Sequence, residues 1–195
     1  MSALSPDLQR QELNAMDGNM QPRMKNREIW TIGHSTRTEA EFVDCLKSFR
    51  IQVLVDVRRF PGSKKYPHFN ADALEHSLLQ NHIRYIQQPS LGGRRKPLPD
   101  SKNTVWRNDA FRGYADYSAS PEFVRAMQEM EGIASVYRTA YMCSEAVWWR
   151  CHRSIISDYL KEHGWTVMHI LKEGSATEHP FTSAYLQMHP AGSAE

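Results

Sequence analysis

Short β-rich runs alternate with helix-forming stretches along most of this chain, and that alternation limits its fold more than any other feature. Ile29-Trp-Thr-Ile32 reads as a strand closed by Gly33. Thr38 followed by Glu41 forms a capping-box pattern that opens a helix to about Arg50, with Phe42, Leu46 and Phe49 on one face. Gln52-Val-Leu-Val-Asp-Val57 is a continuous apolar run suited to a strand buried on both faces, and Asn70 caps a predicted helix from Ala71 to about Asn81. Arg84 to Gln88 reads as a third strand ended by Pro89. After it comes a long loop, Ser90 to Ser120, rich in Gly, Pro and Arg. Ser120 and Pro121 supply an N-cap and first turn for a helix to about Val136. Thr139 to Met142 is the fourth strand, Cys151 to His163 a helix stopped by Gly164, and Trp165 to Leu171 the fifth strand. Strands alternating with helices imply a mainly parallel sheet covered on both sides. The expected fold is therefore an α/β three-layer αβα sandwich of about five strands, of flavodoxin or Rossmann-like type.

A length of 195 residues suits one domain. Residues 1–27 are polar and without sustained period, and so are residues 188–195; both ends are expected to be flexible tails around one domain at 28–187. No apolar run is long enough to span a membrane, and the first 25 residues lack the apolar stretch of a signal peptide. Three cysteines, Cys45, Cys143 and Cys151, do not make a disulfide framework, so a reducing cytoplasm is the expected location. Oligomeric state has no signature in the sequence.

In open parallel sheets ligands bind beyond the carboxyl ends of the strands, where helix N-termini converge. Strand one runs into His34 and Ser35, and strand two into Asp56, Arg58 and Arg59. Strand three is followed by Gly92-Gly93-Arg94-Arg95, and strand four by Cys143, Glu145 and then Cys151-His152-Arg153. The candidate catalytic residues are His34 and Glu145, as acid and base, and Cys151, as a thiol at a predicted helix start. Candidate substrate contacts are Ser35, Asp56, Arg58, Arg59, Arg94, Arg95, Arg112, Tyr114, Cys143, His152 and Arg153. Arg58 and Arg153 would face an anion unless they pair internally with Asp56 or Glu145.

Net charge is only +2, but cations are concentrated: four with no acid from Arg58 to Lys65, and six against two acids from Arg94 to Arg112. With Trp106, Phe111, Tyr114 and Tyr117, the second segment mixes rings and cations. It suits phosphate and base contacts, or equally a basic loop that lids the cleft.

TIGHS (Thr31 to Ser35), DVRRFPGS (Asp56 to Ser63), SLGGRRKP (Ser90 to Pro97), FRGYADY (Phe111 to Tyr117) and MCSEAVWWRCHRSII (Met142 to Ile156) together resemble the DUF488 family, over roughly residues 28–175. The resemblance implies a compact α/β fold with the motif residues in one cleft; it implies no reaction. Ser144 stands where the family's strand-four motif is expected to show Ala.

The plainer readings are also definite. Cys45 lies between Phe42 and Leu46 and is expected in the core. Cys143, Cys151, His152 and His34 include zinc-ligand types, yet a spacing of eight between the thiols matches no compact knuckle, so no metal is expected. A reversible Cys143–Cys151 disulfide is geometrically allowed. The other histidines, His169 and His179 among them, are expected at the surface or in packing. Gly92-Gly93 is too short for a dinucleotide or Walker loop, so no cofactor is expected. The reading reached from sequence is an enzyme acting on a phosphate-bearing substrate, nucleic acid or nucleotide. The alternatives are a cysteine-based thiol or redox enzyme and a non-catalytic nucleic-acid-binding module.

Overall fold

Residues two apart on each strand point to the same face of a sheet, and here the two faces are claimed by different helices. The computed structural model describes residues 27–190. Strands β1 (Glu28–Gly33), β2 (Val53–Asp56), β3 (Arg84–Gln87), β4 (Thr139–Cys143) and β5 (Thr166–Lys172) pair in parallel, and β6 (Ser175–Glu178) returns antiparallel beside β5. The helices are α1 (Glu39–Ser48), α2 (Ala71–Gln80), α3 (Asp109–Ser118), α4 (Pro121–Val136), α5 (Arg153–Glu162) and α6 (Ser183–Met188).

Trp30, Ile32, Leu54, Ala140 and Met142 pack with Phe42 and Leu46 of α1 and Leu74 and Leu78 of α2. On the opposite face Ile29, Val53, Val55 and Tyr141 pack with Tyr114 of α3, Phe123 and Met127 of α4, and Ile156 and Leu160 of α5. These are the outer layers of the expected three-layer sandwich. Fully burying each large apolar side chain contributes roughly 1.5–3 kcal/mol, so both layers hold the sheet firmly.

The strand order is β3-β2-β4-β1-β5-β6. In the two common doubly wound orders β1 lies beside β2; here β4 is inserted between them. The chain leaves β1 toward the β3 edge and leaves β4 toward the β6 edge, so the helices that follow them, α1 and α5, lie on opposite faces, the arrangement that opens a crevice beyond the strand ends.

Several elements differ from the sequence reading. The loop expected over 90–120 contains α3, capped by Asn108, whose side-chain oxygen accepts from Ala110 and Phe111 N–H at 2.9 and 3.4 Å. Gly113 interrupts the helical signal there. Its missing Cβ lets the chain at Arg95 to Pro97 cross the helix, since an added Cβ would lie 2.5 Å from the Arg95 carbonyl oxygen. Strand β6 is a four-residue polar run created by the hairpin at Gly174, so alternation could not reveal it. Asn70 is the N-cap of α2, but its side chain instead accepts Ser63 N–H at 2.6 Å, fastening the preceding loop. Helix α5 begins at Arg153, two residues after Cys151. Residues 1–26 and 191–195, on which most of the two expected tails fall, lie outside the described residues. Among the described residues no helix is long and apolar enough to cross a membrane.

Candidate active site

The parallel ladder continues past the ends of β1 and β4. His34 N–H donates to Cys143 O at 3.0 Å and Ser35 N–H to Ser144 O at 2.9 Å, so the first-strand loop and the cysteine loop run side by side. Gly33 makes this possible, because an added Cβ would stand 1.8 Å from the Glu145 carbonyl oxygen. Gly92 serves the neighbouring loop in the same way: an added Cβ would lie 2.6 Å from Arg59 Cβ. Ser35 and Arg94, both at the cleft, hold positive φ angles of 49° and 61°, uncommon for side chains of their kind.

The crevice is a cleft of ≈ 540 Å³. Of the sequence candidates, His34, Ser35, Arg58, Arg59, Arg94, Cys143, Glu145, Cys151 and His152 line it. Asp56, Arg95, Arg112, Tyr114 and Arg153 do not. Asp56 is buried behind Arg58: Oδ1 accepts Arg58 N–H and Nε–H at 2.9 Å each, and Oδ2 accepts the Tyr85 hydroxyl at 2.6 Å. Burial and the Asp56 carboxylate both push the Tyr85 hydroxyl pKa up, so it stays a donor. Arg153 is fully buried beneath the cysteines and bonds Thr31 Oγ1 at 3.1 Å and Glu145 O at 2.6 Å.

The other three are spent on structure. Arg95 lies 3.6 Å from the Tyr117 ring centre and donates to the Gly92 and Ser90 carbonyls at 3.2 Å each. Arg112 pairs with Asp109 on α3. Tyr114 is buried, and its hydroxyl donates to Leu91 O at 2.6 Å. A cation or ring in a loop reads alike in sequence whether it faces a ligand or braces the loop.

Thr36, Phe60, Tyr66, Phe111 and Arg150 complete much of the wall; of these only Phe111 was named from sequence, as one of the rings of the basic 94–112 segment. Phe60 is 64% exposed, so a large ring is displayed at the mouth with Arg59 over its face at 5.5 Å. Phe111 stacks on Trp106, ring centres 5.3 Å apart.

His34 Nδ1 lies 3.0 Å from the Ser35 carbonyl, which accepts only, so Nδ1 carries the proton. Nε2 is then an acceptor 3.5 Å from Arg58 Nη1. The ring stacks on Phe69 at 4.2 Å. Burial and the Arg58 charge lower its pKa from 6.5 to about 4, leaving a neutral base at the cleft wall near neutral pH.

At the floor, Cys143 Sγ and Cys151 Sγ are 2.8 Å apart, both as free thiols. His152 Nδ1 is 3.5 Å from Cys151 Sγ. Burial pushes the Cys143 thiol well up. Burial would raise Cys151 too, but the hydrogen bond from Cys143 and the Arg153 charge outweigh it and bring its pKa down to about 7. Among the described residues no cluster of His, Cys, Asp and Glu is arranged to hold a metal ion.

Behind the cysteine loop lies a polar chain that sequence reasoning passed over. Trp148, whose carbonyl accepts Cys151 N–H at 3.2 Å, stacks flat on His169 with ring centres 4.3 Å apart. His169 Nε2 is 2.9 Å from His179 Nδ1, and His179 Nε2 is 3.1 Å from Asp158 Oδ1. All three polar residues are buried. Scattered single histidines give no periodic signal, so only the fold could join them.

No curated protein and no solved structure matches the chain. One family does, described as a domain of unknown function, DUF488, over residues 38–160. Its span contains the loops carrying Arg58, Arg94, Cys143 and Cys151, and ends within α5. With more than half its length matched, this chain belongs to the DUF488 family.

Proposed function

We propose that the chain is an enzyme acting on a phosphate-bearing substrate of nucleotide size, held in the cleft at the carboxyl ends of β1, β2 and β4. The observation that carries this reading is the charge of the wall: Arg58, Arg59, Arg94 and Arg150 line it against a single carboxylate, Glu145. Arginine forks recognise phosphate oxygens in pairs, and a cleft of one sign concentrates the opposite one. Arg58 is oriented by Asp56, whereas Arg59, Arg94 and Arg150 are exposed at the wall and able to close on an anion. Phe60 and Phe111 offer ring faces for a base, worth about 1–3 kcal/mol per stacked base. A volume of ≈ 540 Å³ falls within the usual range for small-molecule sites. His34 Nε2 and the Cys151 thiol are the groups positioned to act on what binds.

Arg58 and Arg153 are poor probes of this reading, because removing either strands a buried partner and reports on folding. Arg94→Ala with Arg150→Ala is the cleaner test. Titrating the full chain with nucleoside phosphates and short single strands is expected to give saturable, salt-sensitive binding. The double variant should weaken it by about 10–100-fold. Absence of binding across the panel, or a variant that binds as tightly as the parent, sinks the reading. A second reading, thiol chemistry, is favoured by a separate observation, the paired sulfurs.

A further inference from the structure

We infer that the cleft floor is a two-electron dithiol centre, in which Cys151 attacks and Cys143 resolves, acting on a disulfide-bearing substrate. The inference rests on the cleft being a substrate site, as proposed above, but not on the substrate carrying phosphate.

The two sulfurs stand 2.8 Å apart, so a bond of about 2.05 Å needs them to approach by only about 0.8 Å. Both line the cleft although their residues are only 1% and 4% exposed, so an entering group meets them at its inner end. Cys45 is a contrast: it lies in the core with residues of the sheet and of α1, and does not line this cleft.

The surroundings make the pair asymmetric. Cys143 belongs to β4, whose backbone is fixed by ladders to β1 and β2. Its protonated thiol donates to Cys151, and Glu145 N–H donates to its sulfur at 3.3 Å. Cys151 sits after the short turn Trp148–Arg150, directly before α5, with the Arg153 charge beneath it. Its pKa of about 7 leaves it roughly half thiolate near neutral pH, close to the optimum for an attacking thiol. The residue in the turn before α5 is thus the nucleophile, and the one on the strand is the reserve thiol.

The chemistry balances without a further reagent. Cys151 thiolate forms a bond to one sulfur of R–S–S–R′, the substrate disulfide breaks, and R′S⁻ leaves and takes a proton from solvent. Cys143 then loses its proton, with neutral His152 the nearest ring nitrogen to the pair, and its sulfur attacks Cys151 Sγ. RS⁻ leaves and takes up that proton. Two electrons have passed from the cysteines to the substrate, which departs as two thiols, and the protein holds a Cys143–Cys151 disulfide. A dithiol reductant runs the same exchange in reverse and restores the pair.

The test equilibrates the full chain with glutathione and glutathione disulfide over a series of ratios, followed by acid quench, alkylation and intact mass with peptide mapping. One transition is expected, in which Cys143 and Cys151 are lost to alkylation together, while Cys45 remains alkylatable after unfolding. Cys143→Ser should stop at a glutathione adduct on Cys151, and Cys151→Ser should form at least about tenfold less adduct. The inference is overturned if the parent chain keeps both thiols at every ratio. It is equally overturned if the two single variants form adducts alike, or if the isolated protein carries zinc that protects both sulfurs. Nucleotide binding measured on Cys143→Ser with Cys151→Ser separates the two proposals. Binding retained with no dithiol oxidation in the parent rejects this inference alone. Disulfide formation without any nucleotide binding rejects the phosphate reading alone.

Discussion

His34 illustrates how one side chain can be tuned by its immediate neighbours. Its Nδ1 proton is held by the Ser35 carbonyl, its face is covered by Phe69 and its Nε2 edge meets the Arg58 guanidinium, so a second proton is disfavoured. With a folded pKa of about 4 against the ordinary 6.5, the unfolded chain protonates first as pH falls. The contribution of this residue to stability is therefore whole above pH 6.5 and is lost progressively toward pH 4. Ring-proton NMR should show His34 titrating near 4, and His34→Gln should flatten the acid side of the urea-unfolding profile; a midpoint near 6.5 would refute this. The position of His34 was legible in sequence, because it directly follows a strand that ends at glycine. So were those of Cys143 and Cys151. Arg150 and Phe60 were not, since nothing in a loop's sequence encodes which way its side chains turn. Arg95 and Tyr114 look equally functional in sequence and are used to hold loop 90–95 against α3.

At the scale of elements, α5 and α6 are joined by one buried carboxylate. Asp158 on α5 accepts His179 Nε2–H at 3.1 Å and Thr182 N–H and Oγ1–H at 2.9 and 2.6 Å, and Thr182 is the N-cap of α6. Asp158→Ala would leave three donors without their acceptor and is expected to cost about 3–5 kcal/mol, read by urea unfolding. The same variant should slow alkylation of Cys151, because His179 orients His169, on which Trp148 and the cysteine turn rest. Stability and alkylation rate both within error of the parent would show that this chain bears no weight. The helices read correctly from sequence are those with a clear start signal, such as Thr38 with Glu41 for α1 and Ser120-Pro121 for α4. Helix α3 escaped because it lies in a segment rich in Gly, Pro and Arg and carries the poor helix former Gly113, whose reason lies in the chain crossing it.

For the molecule as a whole, alternation was enough to expose the sandwich but not the order of its strands. Parallel strands leave no trace of their neighbours in sequence, since each of the central ones is simply apolar on both sides. The observed order has β1 and β2 each bonded to β4 and not to one another. During synthesis, then, the first two strands emerge before the partner they share, and must wait for residues 139–143 before the middle of the sheet can exist. A nascent chain halted at residue 136, after α4, should remain protease-sensitive, whereas one extended beyond β5 should acquire resistance in a single step. Cys143 is thus carried on the strand that joins the two parts of the sheet, and the cleft cannot assemble on a half-finished protein.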